Sequence, residues 1–154
     1  MRWISLMGWI ALCFAVAGVS SVWTAGSVEG WYRTLVRPSI APPDWVFAPV
    51  WAVLYLLMAG AAWLVWEAPA SPARNLGIGL FLLQLALNFA WTFLFFRNHA
   101  LGLALGEIVL LWLAILATIL AFRLVSPVAA LLLAPYLVWV GFATLLNGAF
   151  WRLN

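Results

Sequence analysis

Charge is what this chain lacks most. Only 7% of its 154 residues are Asp, Glu, Lys or Arg: seven arginines, no lysine and four acids. A water-soluble domain of this length needs far more charge to cover itself. Cysteine and histidine each occur once, as Cys13 and His99. A single cysteine excludes an internal disulfide framework and any cysteine-based metal cluster. A single histidine, in the short stretch Arg97-Asn98-His99, leaves no Ser-His-Asp set and no metal-ligand cluster, and is expected to be solvated. No glycine-rich phosphate loop is present either. The net charge of +3 is not a nucleic-acid footprint, because the arginines are scattered through the polar segments instead of clustered.

What remains is 68% hydrophobic, with a mean hydropathy of +1.14. The few charges punctuate uncharged runs of roughly twenty residues, the length at which a helix crosses a ~30 Å hydrocarbon layer. Five spans follow, at about 3–24, 45–66, 76–96, 101–122 and 127–150. The expected fold is an all-α integral membrane bundle of five transmembrane helices, forming one domain over residues 1–154. Short connections make consecutive helices antiparallel neighbours, and an odd span number puts the termini on opposite sides. Arg2, Arg74 and Arg123 face Arg33, Arg37, Arg97 and Arg152 across the membrane, a near balance that leaves orientation open. Arg2, an apolar run and Ala15-Val16-Ala17 resemble a cleavable signal, but the run continues to Trp23 and reads as a retained helix. No internal repeat is visible, which disfavours an inverted-repeat transporter.

Twelve tryptophans stand out against this background. Leu, Val and Ala cover lipid-facing surface equally well. An excess of indole therefore points to interfacial anchors, packing wedges or a π-lined cavity for a flat ligand. The connection over about residues 25–44 is the long one, rich in Gly and Pro. Pro38, Pro42 and Pro43 restrict their own and the preceding backbone, so the loop reads as a stiff flap. Trp31-Tyr32 at its start fits either an interfacial belt or a lid over a cavity.

Trp51 lies in the first turns of the second span, beside that flap. Gln84 and Asn88 share a face of the third span, and amides in lipid must turn inward to find partners. In the fifth span Trp139 and Ala143 stand at i and i+4, a wide ring beside a small residue, with Asn147 one turn on. Interhelical hydrogen bonding is the competing reading for the amides, and the favoured one for Asn147. Glu107 alone sits inside a span. It either marks function or is a structural acid that snorkels, is protonated or pairs with Arg97. Gly102 and Gly106, and Ala86 and Ala90, are small-residue pairs suited to close helix contact.

Taken together, these residues resemble the tryptophan-rich sensory protein/translocator protein (TspO/MBR) family over essentially the whole chain. The resemblance rests on Trp31-Tyr32, Leu35, Pro38, Pro42-Pro43, Val46-Phe47, Trp51 and Leu54-Tyr55. It rests also on Asn88-Phe89-Ala90-Trp91, Glu107, Pro135-Tyr136, Trp139, Phe142-Ala143 and Leu146-Asn147. It implies a five-helix bundle, usually a homodimer, whose pocket is closed by the first loop. Implied ligands are tetrapyrroles such as protoporphyrin IX, sterols in animal members, and isoquinoline carboxamide or benzodiazepine drugs, with no cofactor required. The implied pocket residues are Tyr32, Trp51, Tyr55, Gln84, Asn88, Phe89, Trp139 and Ala143. Some bacterial members are associated with light-dependent porphyrin breakdown, for which Trp51 and Trp139 are the matching tryptophans.

This chain departs from the family pattern at Gln84, where an asparagine is usual. It also has no tyrosine between Asn147 and Arg152, which argues against the animal sterol motif. The expected function is a porphyrin-binding membrane receptor or sensor, with porphyrin degradation or facilitated transport as alternatives. The Ala, Leu, Trp and Arg bias points to a GC-rich bacterial genome. All-helical spans favour an inner membrane, though inner and outer remain open.

Overall fold

The computed structural model describes all 154 residues and contains helices but no strands. The helices are α1 (Arg2–Glu29), α2 (Trp31–Thr34), α3 (Phe47–Trp66), α4 (Pro72–Thr92), α5 (Leu101–Arg123) and α6 (Pro127–Leu153). A 3₁₀ turn over Asp44–Val46 leads into α3, and a π turn over Phe93–Arg97 prolongs α4. Five of these helices are long and apolar enough to cross a membrane. The all-α, five-span architecture is therefore the one the charge spacing indicated.

Two boundaries differ from the sequence expectation, each for a local reason. Helix α1 runs to Glu29, five residues past the expected end. Ala25 to Glu29 is more polar than a lipid span, but nothing in it breaks a helix before Gly30. The long flap is correspondingly shorter, reduced to α2 and a largely extended stretch after it. Helix α4 starts at Pro72, ahead of its hydrophobic stretch, because Ser71 caps it. The Ser71 hydroxyl accepts from the Arg74 amide at 3.1 Å, and Pro72 occupies the first position, where no amide is needed. Ser126 and Pro127 open α6 in the same way, with Ser126 accepting from the Ala129 amide at 3.2 Å.

Around the bundle the order is α1, α3, α6, α5, α4. Helix α5 packs most extensively, against α4 on one side and α6 on the other. At Gly77 a Cβ would stand 2.9 Å from the Phe122 ring, so α4 and α5 approach closely only because no side chain intervenes. Helix α1 is held least, with only Cys13, Ser20 and Ser27 buried along its length. At the end away from the flap it is clamped to α3. Trp3 stacks on Trp63 with centroids 6.1 Å apart, and the Trp63 indole donates to the Arg2 carbonyl at 2.9 Å. Ser5 hydrogen-bonds Glu67, which also lies 3.6 Å from Arg2.

Candidate ligand-binding site

Toward the flap end, α1, α3, α4 and α6 enclose a cavity of about 520 Å³. Its ceiling is Tyr32, only 3% exposed, whose ring meets Phe150 at 5.2 Å, Phe96 at 6.1 Å and Phe95 at 6.5 Å. The π turn helps to make this ceiling. Its wider coil, marked by the Asn98 amide donating to the Phe93 carbonyl at 2.9 Å, brings the adjacent Phe95 and Phe96 both onto the cavity lining.

The flap is fastened from several directions. Arg37 donates to Asp44 at 3.0 Å and to the Pro42 carbonyl at 2.9 Å, with its guanidinium 5.5 Å from the Tyr32 ring centre. Asn154 holds both backbone groups of Val36, accepting from its amide at 2.9 Å and donating to its carbonyl at 3.2 Å. His99 has a φ of 57° and stacks on Trp31 with centroids 4.0 Å apart. The histidine expected to be merely solvated is exposed on one face and packed on the other. Burial pushes the Tyr32 phenol up to about 12, with Arg37 drawing it down and Asp44 raising it further.

The walls come from four helices. Trp51 and Tyr55 project from α3, and Trp139 and Ala143 from α6. The Trp51 ring lies 5.8 Å from Tyr55 and 6.3 Å from Tyr136, while Trp139 rests against Phe142 at 5.5 Å and Phe47 at 6.0 Å. The two indoles thus line one void from adjoining helices. Asn88 reaches the lining from α4 and donates to the Tyr136 hydroxyl at 2.9 Å. Asn147 accepts from the Trp91 indole at 3.0 Å and donates to the Leu101 carbonyl at 2.9 Å, which ties α4, α6 and the start of α5 together.

Six of the eight residues singled out from the sequence therefore meet at this cavity: Tyr32, Trp51, Tyr55, Asn88, Trp139 and Ala143. Gln84 and Phe89 are not among its lining residues. Gln84 sits one turn farther from the flap than Asn88, fully buried, with neither amide atom hydrogen-bonded. Phe89 is rotated about 100° from Asn88 and packs on Trp23 of α1 at 5.0 Å. Glu107 is not paired with Arg97, and both its carboxylate oxygens are buried without a partner. Gly102 is filled by Trp151 of the same chain, whose indole nitrogen would stand 3.0 Å from an added Cβ, so it offers no open notch.

Sequence reading missed the contribution of α1, which lines the cavity with Phe14, Ser20 and Thr24 among others. The available signal was three hydroxyls, Ser20, Ser21 and Thr24, gathered in an otherwise apolar run. The TspO/MBR family model matches residues 9–152. This chain belongs to the TspO/MBR family. Among its relatives, the tryptophan-rich protein TspO of Chlorobaculum tepidum is 44% identical over 94% of this chain and 92% of its own length. The human translocator protein is 40% identical over 99% of this chain and 91% of its own. The tryptophan-rich sensory protein of Cereibacter sphaeroides is 35% identical over 100% and 94%. Membership and five apolar helices make the chain an integral multi-pass membrane protein.

Proposed function

We propose that this TspO/MBR protein is a membrane receptor or sensor that binds porphyrins such as protoporphyrin IX in the tryptophan-lined cavity, regulating tetrapyrrole traffic or a stress response. One observation carries the reading: Trp51 and Trp139 border the same cavity. Its volume, about 520 Å³, falls within the range of small-molecule sites, roughly 300–1,000 Å³. Aromatic walls suit a flat π-system, and the few polar groups, chiefly Asn88 and Ser20, suit a ligand with a polar edge. Arg33 is exposed and unpaired, which leaves it available to a propionate, whereas Arg37 is already engaged by Asp44. The names of the relatives, sensory protein and translocator protein, agree with a signalling or carrying role.

The proposal includes the homodimer that the family resemblance implies. Ala86 and Ala90 on α4, one turn apart with Ala86 exposed, and the exposed Gly106 on α5 are small-residue positions open to a second copy. The test of the site is protoporphyrin titration of detergent-solubilised protein, followed through tryptophan fluorescence and porphyrin absorbance. Replacing Trp51 and Trp139 together by Ala is expected to weaken binding by at least about tenfold, since aromatic stacking contributes about 1–3 kcal/mol per ring. Unchanged affinity in a folded double variant refutes the placement.

A further inference from the structure

The ceiling of the cavity is latched, but its side is open. Helix α1 is held between α3 and α4 by aromatic contacts along its length. Near its start, Trp3 packs on Trp63 of α3, and Trp9 sits between Trp66 of α3 and Phe81 of α4. Near its other end, Trp23 leans on Phe89 and Phe93 of the α4 segment, at 5.0 and 5.3 Å. Small side chains border the cavity along the flap-side halves of α1 and α3. Gly18, Ser21 and Ala25 on α1, with Ala48 and Ala52 on α3, are exposed and line the cavity as well. No lining residue of α4 or α6 is exposed, so the exposed part of the cavity wall lies along α1 and α3. Nothing stands within 4 Å of a Cβ added at Gly18.

The hydroxyls beside this opening differ in their engagement. Ser21 donates back to the Gly18 carbonyl at 2.7 Å and Thr24 to the Ser20 carbonyl at 3.0 Å. The Ser20 hydroxyl, just inside the seam and 7% exposed as a residue, has no partner. We propose that the seam between the flap-side halves of α1 and α3 is a lateral portal, through which the cavity takes its ligand directly from the bilayer, and that the unpartnered Ser20 hydroxyl behind it receives the polar edge of the ligand. The inference rests on reading the cavity as the ligand site. It assigns the ligand to amphiphiles dissolved in lipid, and it gives the flap the role of a fixed ceiling.

Access can be measured without any porphyrin, so its outcome is separable from that of ligand identity. In proteoliposomes, a Cys13→Ala background carrying Ala143→Cys presents one thiol inside the cavity. A bilayer-partitioning N-alkyl maleimide is expected to label it faster than a charged maleimide confined to water. Adding Gly18→Leu and Ala52→Leu, which narrow the seam, is expected to slow labelling about tenfold, equivalent to about 1.4 kcal/mol of barrier. Asn154→Ala, which releases Val36 of the flap, is expected to leave the rate unchanged. The portal is refuted if the charged reagent labels faster, if the alkyl reagent does not label, if the flap variant accelerates labelling, or if a folded narrowed seam does not slow it. Near-ultraviolet circular dichroism confirms that each variant is folded, and the flap variant decides the question even if the narrowed one is not.

Discussion

Asn147 offers the sharpest quantitative test of how this bundle holds together. It is 1% exposed and its amide makes two hydrogen bonds, with the Trp91 indole at 3.0 Å and the Leu101 carbonyl at 2.9 Å. Interhelical hydrogen bonds within membranes contribute about 0.6 kcal/mol on average and up to about 1.7. The pair is therefore worth about 1–3 kcal/mol. Asn147→Leu keeps the volume but removes both bonds and strands the Trp91 N–H, itself on a residue only 8% exposed. An orphaned donor adds up to about 1–3 kcal/mol, offset in part because the amide no longer has to be desolvated. The net expectation is a loss of about 2 kcal/mol, a shift of about thirtyfold in the unfolding equilibrium. Reversible unfolding by SDS in mixed micelles measures it. Trp91→Phe removes the donor, so Asn147→Leu in that background should cost about 1 kcal/mol less than in the native chain. Thr144→Val removes a bond made only to its own helix, at the Val140 carbonyl, and should cost little by comparison. A native-like stability for Asn147→Leu, or no coupling with Trp91, refutes the account of this network.

Gln84 is expected to behave in the opposite way: with both amide atoms buried and unpaired, Gln84→Leu should raise stability by about 1 kcal/mol and leave porphyrin affinity unchanged, checked by the same unfolding and titration assays. The flap should respond to alkali through Tyr32, whose phenol is raised from 10.0 to about 12. Its burial favours the neutral form, so that contribution is whole below about pH 10 and is lost as pH rises through about 12. Ultraviolet absorbance of tyrosinate, followed alongside maleimide access from water, should show the flap loosening only in that window. Under illumination, bound protoporphyrin should fade at the rate seen in empty micelles if the protein is a receptor. A faster loss that disappears in Trp51→Ala or Trp139→Ala would favour degradation instead.

Composition and charge spacing alone settle the solvent and the architecture. Seven arginines and four acids cannot cover 154 residues in water, and their spacing forces five membrane-length helices, because backbone groups in lipid must be satisfied within each helix. Periodicity also put Trp139 beside Ala143 and turned Asn88 inward, since side chains one helical turn apart share a face whatever surrounds them. Depth and neighbours were not legible in this way. Gln84 and Asn88 share a face, yet Asn88 reaches the cavity and Gln84 does not, because the void ends between two levels of the bundle. Gly102 and Gly106 form a pair suited to close helix contact, yet the space at Gly102 is taken by Trp151 of the same chain. The share taken by α1 depends on how it lies between α3 and α4. That path is set by where Trp3, Trp9 and Trp23 find partners on other helices. Periodicity is a property of one helix and can be read along it, whereas a cavity is the space that several helices leave unfilled, so only their packing together decides it.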